Sequence, residues 1–159
     1  MGKYKVREAV EEDLPALTAS GFAPGSGLDW HTGVPYDTLI AVDAAGAVLG
    51  RLQALYDDPR GPLDRLGVGR PQSWISFLNV VDDAQSRGVG GAMVAEFALR
   101  ASRRGVAGIG LLVEFSGDRA GRVRFFNRCG FHEAWPGTPA DIWVGKPAEI
   151  YGSCVAAAR

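Results

Sequence analysis

The sequence predicts an α+β domain with a mixed central sheet flanked by helices. Two strand-like runs, Thr38–Asp43 and Ala47–Tyr56, are joined by the turn Ala44-Ala45-Gly46 and form an antiparallel hairpin. The stretch Ser73–Gly105 passes from a short apolar strand through a glycine-rich turn into a helix. The full order of elements reads β-α-β-β-β-α-β-α-β-β, that of an α+β protein rather than of a regular α/β repeat.

Lys3–Val10 opens the chain as a strand, with Tyr4, Val6 and Val10 as its apolar positions. Glu11-Glu12-Asp13 supplies acidic first-turn residues and a cap, and Pro15 is tolerated in the first turn of the helix that ends near Ser20-Gly21. Phe22–Pro35 is a loop by its glycines and prolines, and Asp57–Pro71 is irregular for the same reason. Trp74–Val81 is too short and too rich in aromatic and β-branched residues for a helix, so it reads as a buried strand. In the helix that follows, Val89, Ala92, Met93, Phe97 and Ala101 recur at helical spacing, arginines fill the last turns and Gly105 stops it. Ile109–Phe115 is a strand, apolar except for Glu114. Ser116-Gly117-Asp118 caps a helix over Arg119–Arg128, which Gly130 ends. Phe131–Trp135 and Asp141–Val144 make a closing hairpin, and Pro147–Arg159 reads as a tail without strong pattern.

At 159 residues the chain suits a single domain, 1–159, with a core that needs no disulfide or metal staple. Hydrophobic content of 47%, charged content of 22% and a net charge of −1 argue against a general nucleic-acid or anionic-membrane surface. No apolar run approaches the ~20 residues that span a bilayer, and MGKYKVREAV has no signal-peptide core, so the expected location is cytoplasmic. Cys129 and Cys154, with His31 and His132, give neither metal-ligand spacing nor a disulfide framework, and no metal is expected.

A glycine-rich turn entering a helix has a chemical use. Glycines let a ligand approach the backbone, and the first N–H groups of the helix lack partners and favour negative charge. Together they suit a phosphate or pyrophosphate. A P-loop would require Gly-Lys followed by Ser or Thr, and the dinucleotide fingerprint would require glycine at Met93, so neither fits. The spacing that fits is Gln-x-x-Gly-x-Gly at Gln85, Gly88 and Gly90.

Here the sequence resembles the GCN5-related N-acetyltransferases, whose Q/R-x-x-G-x-G/A motif grips the pyrophosphate of acetyl-CoA. A second signature agrees with it: Leu112-Val113-Glu114, then the aromatic pair Phe125-Phe126, then Gly130-Phe131. The resemblance covers most of the chain. It implies a sheet whose strands matching Ser73–Val81 and Ile109–Phe115 splay apart, with the pantetheine arm filling the gap as a pseudo-strand. Backbone groups around Val80 and Val81 would then hold the arm, one N–H polarising the thioester carbonyl. The stretch Gln85, Ser86, Arg87, Gly88, Val89, Gly90 and Gly91 would hold the pyrophosphate, chiefly through the N–H groups of Arg87–Gly91.

The implied reaction is acetyl transfer to a primary amine by direct attack in a ternary complex. An alkyl amine with pKa near ~10.4 must first lose a proton. Glu114 is the candidate base, because it matches a glutamate so used in some members and because burial in an apolar strand would raise its pKa. The other reading of Glu114 is a solvent-facing residue or the partner of an arginine on the next helix. Phe126 departs from the family, which often has a tyrosine there to protonate the departing thiolate. A thiol with pKa about 8.5 leaves without much help, and Tyr151 is an alternative donor. Arg119, Arg122, Arg124 and Arg128 either contact the 3′-phosphate or an acidic substrate, or form a solvated helix face. Trp30, His31 and Asn79 are candidate acceptor-site residues, and Ser76 interrupts the same strand as Asn79.

The expected function is an acetyl-CoA-dependent N-acetyltransferase acting on an amine of a small molecule or peptide. Oligomeric state is left open, a homodimer included. Two alternatives stand beside it: a non-catalytic acyl-CoA sensor of the same fold, favoured by Phe126, and a protein-interaction domain whose glycine turn binds nothing.

Overall fold

The computed structural model describes residues 4–22, 33–114, 117–135 and 141–159. Among them, β1 (Tyr4–Glu8), β2 (Asp37–Asp43), β3 (Val48–Leu55), β4 (Gln72–Val80), β5 (Gly108–Leu112), β6 (His132–Glu133) and β7 (Ile142–Gly145) form one sheet. Its order is β1-β2-β3-β4-β5-β7-β6. β4 and β5 run parallel and the other neighbours antiparallel, so the sheet is mixed. The helices are α1 (Leu14–Ala19), α2 (Val89–Arg103), α3 (Arg119–Arg128) and α4 (Pro147–Ala157).

Alternation along the strands divides the core between the two faces of the sheet. On one face Leu39, Leu52, Ile75 and Ile109 pack with Met93, Val94 and Phe97 of α2 and with Ile150 of α4. On the other, Ile40 and Val48 pack with Leu17 of α1 and with Phe22. Phe97 is wholly buried and stacks on Tyr56 with ring centroids 4.6 Å apart. Burial of a side chain of that size contributes roughly 2–3 kcal/mol.

The strands and helices fall where the sequence pattern places them, with two corrections. β5 ends at Leu112, with Val113 and Glu114 outside the strand and Phe115 outside the described residues, although the Val113 N–H still donates to the Asp141 carbonyl at 2.8 Å. The larger correction is at the C-terminus. Residues 147–157, read as a tail, form α4, which packs against α2 and α3. Pro147 stands in its first turn, where a missing N–H costs nothing. Pro147, Ile150 and Cys154 are its buried positions. This stripe covers one side of a short, alanine-rich helix, so its apolar period is weak against the background.

The two cysteines are free and buried. The Cys154 thiol points at the Cys129 carbonyl at 3.9 Å, joining α4 to the end of α3. The neighbouring thiol and burial push the Cys129 thiol well above its usual range. Both cysteines belong to the core.

Candidate functional site

β4 and β5 pair only at their beginnings. Gln72, Ser73, Trp74 and Ile75 lie opposite Gly108, Ile109, Gly110 and Leu111, and there the ladder stops. β4 continues through Val80, still paired with β3 on its other side. The separation has a local cause. Ala54 of β3 pairs with Ile75, but Gln53 pairs with Phe77, so Ser76 is an extra residue in β4. Such a bulge bends and twists its strand, and this one sits at the last rung of the β4–β5 ladder. From Ser76 to Val80, the edge of β4 that faces β5 has no strand against it among the described residues.

The bulge also exchanges the two faces of β4. Ile75 belongs to the α2 face, and beyond Ser76 that face is taken by Leu78 and Val80, which pack against the main core. Phe77 and Asn79 consequently share the opposite face with their partners Gln53 and Arg51. Phe77 is 45% exposed there. Tyr36 meets its ring edge-on at 6.0 Å. The Arg51 guanidinium lies 5.5 Å from the Phe22 ring centroid and 5.9 Å from that of Phe77, and it donates to Asn79 Oδ1 at 3.4 Å. Burial pulls the Arg51 pKa below its ordinary value.

Between β4 and α2 the turn is held by its own side chains. Gln85 Nε2 donates to the Val80 carbonyl at 3.2 Å and to Asp82 Oδ1 at 3.1 Å, and Arg87 Nη1 donates to the Asp83 carbonyl at 3.1 Å. Gln85 thus braces the turn, and its amide is spent on that task. Ser86 (φ 60°) and Gly88 (φ 81°) are both left-handed, a conformation that costs a residue with a side chain about 1 kcal/mol or more. The Ala92 N–H donates to the Gly88 carbonyl at 3.0 Å, closing the first turn of α2. No acceptor among the described residues takes the N–H groups of Ser86–Gly91. Main-chain donors gathered in this way at a helix N-terminus are of the kind that suits an anion. Gly90 lies close under Phe125 of α3: a Cβ there would stand 3.3 Å from Phe125 Cζ and 3.7 Å from Val80 Cγ2. Glycine keeps the wall between α2 and α3 thin.

The structure treats the sequence-derived candidates unequally. The strand edge at Val80 and the turn Gln85–Gly91 are tied together by the Gln85 side chain on the Val80 carbonyl. Val81 does not belong to that edge through its main chain, a correction to the expectation above. Its N–H donates to the Leu49 carbonyl at 2.9 Å and its carbonyl accepts from Ala84 at 2.9 Å. Glu114 lies past the end of β5 and is exposed, so the burial expected for it is absent. Leu111 is 2% exposed, Leu112 55% and Val113 1%. Continued alternation puts the Glu114 side chain on the face of Leu112, which is also that of Phe77 and Asn79. Its carbonyl accepts from Arg122 Nη2 at 2.9 Å, and the Val113 carbonyl from Arg119 Nη1 at 2.7 Å. These two arginines thus brace the segment after β5, whereas Arg124 and Arg128 are exposed beside Asn127 around a shallow depression of about 350 Å³. Phe126 is 8% exposed and packs edge-on against Phe125 and Phe131, with centroids at 5.0 and 5.8 Å. Tyr151 is exposed on α4. Trp30 and His31 lie outside the described residues.

Arg51, Phe77 and Tyr36 carry no mark of a site in the sequence. In VLGRLQAL, Arg51 and Gln53 simply alternate with apolar residues, as they would on a solvent face. Only the bulge brings Phe77 and Asn79 to the side of Arg51, away from that of Ile75.

Among the described residues no group of three His, Cys, Asp or Glu side chains is placed to hold a metal, and no helix is long and apolar enough to cross a membrane.

No protein-family model and no curated protein matches the chain. Solved structures do. A GCN5-related N-acetyltransferase from Kribbella flavida superposes with a TM-score of 0.63 at 23% identity, over 91% of this chain and 98% of that one. The ribosomal-protein-S18-alanine N-acetyltransferase of Escherichia coli gives 0.61 at 18% identity, over 89% and 92%. The PaiA N-acetyltransferase of Thermoplasma acidophilum, solved in complex with coenzyme A, gives 0.62 at 13% identity, over 92% and 99%. The chain has the fold of the GCN5-related N-acetyltransferases.

Proposed function

We propose that this protein is an acetyl-CoA-dependent N-acetyltransferase that acts on a primary amine. The observation that carries the reading is the pairing of two hydrogen-bonding surfaces: the edge of β4 from Ser76 to Val80, whose last carbonyl is covered by Gln85, and the N–H groups of Ser86–Gly91. An extended amide chain ending in a diphosphate matches both at once, the amides against the strand edge and the diphosphate on the helix N-terminus. That solved structures of the same fold include one with coenzyme A supports the same ligand.

Bound there, acetyl-CoA supplies an activated acetyl thioester, and the chain supplies placement. The strand edge orients the thioester end, and an N–H of the opened β4 edge stands ready to polarise its carbonyl. The acceptor amine approaches from the face of Phe77 and Asn79 and attacks directly. Glu114, on that face, takes the amine's proton directly or through water. Its contribution is expected at the lower end of the general-base range, roughly a hundred-fold in rate. With Phe126 in the core, no aromatic hydroxyl stands at its position to protonate the leaving thiolate, which departs unaided.

Acetyl-CoA is expected to raise the melting temperature, and thiol release should follow when amines are added. Glu114→Gln should leave the thermal shift intact and slow release most near neutral pH. No shift with acetyl-CoA would remove the whole reading. A shift without thiol release across small amines, peptides and aminoglycosides would leave the non-catalytic acyl-CoA sensor, the reading that the buried Phe126 favours.

A further inference from the structure

A small cavity of about 190 Å³ lies where the end of β1, the start of β2 and the residue after β3 come together. Register sets which side chains share it. Glu8 stands opposite Leu39, Asp37 is two residues before Leu39, and Leu39 and Tyr56 belong to the face covered by α2. Arg100, near the end of α2, reaches Glu8 at 2.7 Å, so the cavity sits under the C-terminal turns of that helix. α2 has 15 residues, about 22 Å at 1.5 Å per residue, which separates the cavity from the turn at its N-terminus.

Tyr56 supplies the buried wall. It is 5% exposed, its ring stacks on Phe97, and the Arg104 guanidinium lies 3.8 Å from the ring centroid. Its hydroxyl is buried without a hydrogen-bond partner among the described residues, a state that costs free energy until a partner meets it. Burial pushes its pKa up to about 12, and the nearby charges of Asp37 and Glu8 add to the rise, so it stays a neutral phenol able to accept and donate. The other polar groups are carboxylates. Asp37 Oδ2 accepts the Tyr56 N–H at 3.3 Å, and Asp37 makes no ion pair among the described residues. Desolvation raises its pKa above the ordinary carboxylate range, and a cation beside it would favour the ionised form. Arg100 does not serve, since Glu8 and Glu96 each hold it at 2.7 Å.

We propose that this cavity binds a small primary ammonium ion between the Asp37 carboxylate and the Tyr56 hydroxyl. One N–H of the ion donates to Asp37 and another to Tyr56 Oη, while Ala9 and Leu39 line the space for its short carbon chain. Two carboxylates, one of them already on Arg100, are too few for a metal ion. The site stands independently of the acetyl-transfer reading, and an amine held here lies a helix length from the turn before α2.

The test is a titration of the whole chain with butylammonium chloride, followed by amide NMR. The N–H signals of Ala9 and Tyr56, which bond to the Thr38 carbonyl and to Asp37, should move saturably. Asp37→Asn keeps an oxygen for the Tyr56 N–H but loses the charge, and should weaken binding by about ten-fold or more. Tyr56→Phe keeps the ring on Phe97 and removes only the hydroxyl, and should weaken it by about three- to ten-fold, the effect of one hydrogen bond. A dispersed amide spectrum shows each variant to be folded. Tetramethylammonium, with the charge but no N–H, and butanol, with a hydroxyl but no charge, should each bind at least about ten-fold more weakly than butylammonium. The proposal is overturned by an absence of saturable movement, by movement confined to Ser76–Gly91, or by undiminished affinity in either variant. Saturable binding of acetate at Ala9 and Tyr56, with none of butylammonium, also overturns it. None of these results touches the acetyl-CoA reading, which the thermal shift with acetyl-CoA decides separately.

Discussion

Gly90 sets the tolerance of the site at the scale of one residue. Its missing side chain lets Phe125 of α3 come close to the first turn of α2. At 3.3 Å from Phe125 Cζ, an added Cβ would push that ring by a few tenths of an ångström. Phe125 rests on Phe126, which rests on Phe131, so the displacement is passed into packed rings. The backbone of Gly90 itself is an ordinary helical one, absent from the left-handed glycines. Alanine is also the better helix former by roughly 1 kcal/mol. Gly90→Ala should therefore change stability by less than about 1 kcal/mol, because the propensity gain offsets the crowding. Its effect belongs to the ligand: we expect about a ten-fold loss of acetyl-CoA affinity by calorimetry, since the wall beside the diphosphate shifts. Gly88→Ala is the contrast, because φ there is 81° and the substitution strains the free protein as well. Equal losses of stability from the two variants would remove the distinction drawn here between a spacing glycine and a conformational one.

At the scale of elements, α4 is where sequence and structure part. Strands β2 and β3, helices α2 and α3 and the turn between β4 and α2 were legible because each has a strong local signature. The hairpin has its turn, α2 its helical apolar period, and α3 both ends: Asp118 Oδ1 accepts from the Gly121 N–H at 2.9 Å, and Gly130 follows as its stop. α4 offers three buried residues, and much of its reason to be helical lies in α2, which no local window contains. The bulge at Ser76 was equally hidden, since a one-residue shift of register is decided by the partner strand. With it went the placement of Arg51 and Phe77 on one face of the sheet. Glu114 was legible as a lone carboxylate, buried or solvent-facing, and the choice between the two was not, because the end of β5 is set by pairing with β7. If α4 is part of the core, Ile150, fully buried, should behave as a core residue. Ile150→Ala is expected to cost about 2–4 kcal/mol in denaturant unfolding, with a single cooperative transition. A cost below about 0.5 kcal/mol, typical of surface positions, would mean that the segment is an appendage.

On the scale of the whole molecule, the sheet is a continuous ladder interrupted at one place. β1, β2, β3 and the length of β4 are paired throughout, and β5, β7 and β6 form a second ladder. The two halves meet over Gln72–Ile75 alone. The base of this junction is firmly tied: Gln72, fully buried, accepts from the Leu63 N–H and donates to Asp64 Oδ1 and to the Val68 carbonyl, each at 2.8 Å. The opening above it is therefore a fixed feature of the fold and lies at an internal strand edge, where unpaired amides are costly without a partner. Amide hydrogen exchange reads this directly. In the free protein, Gln72–Ile75 should exchange slowly, and the amides of Ser76–Val80 that face β5 quickly. Coenzyme A should slow those outward amides of 76–80, together with Ser86–Gly91, by about ten-fold or more at saturation. ADP, which carries the diphosphate without the pantetheine arm, should protect Ser86–Gly91 and leave 76–80 as they were. Protection of 76–80 by ADP, or its absence with coenzyme A, would mean that the ligand does not complete the sheet. The opening would then need another explanation.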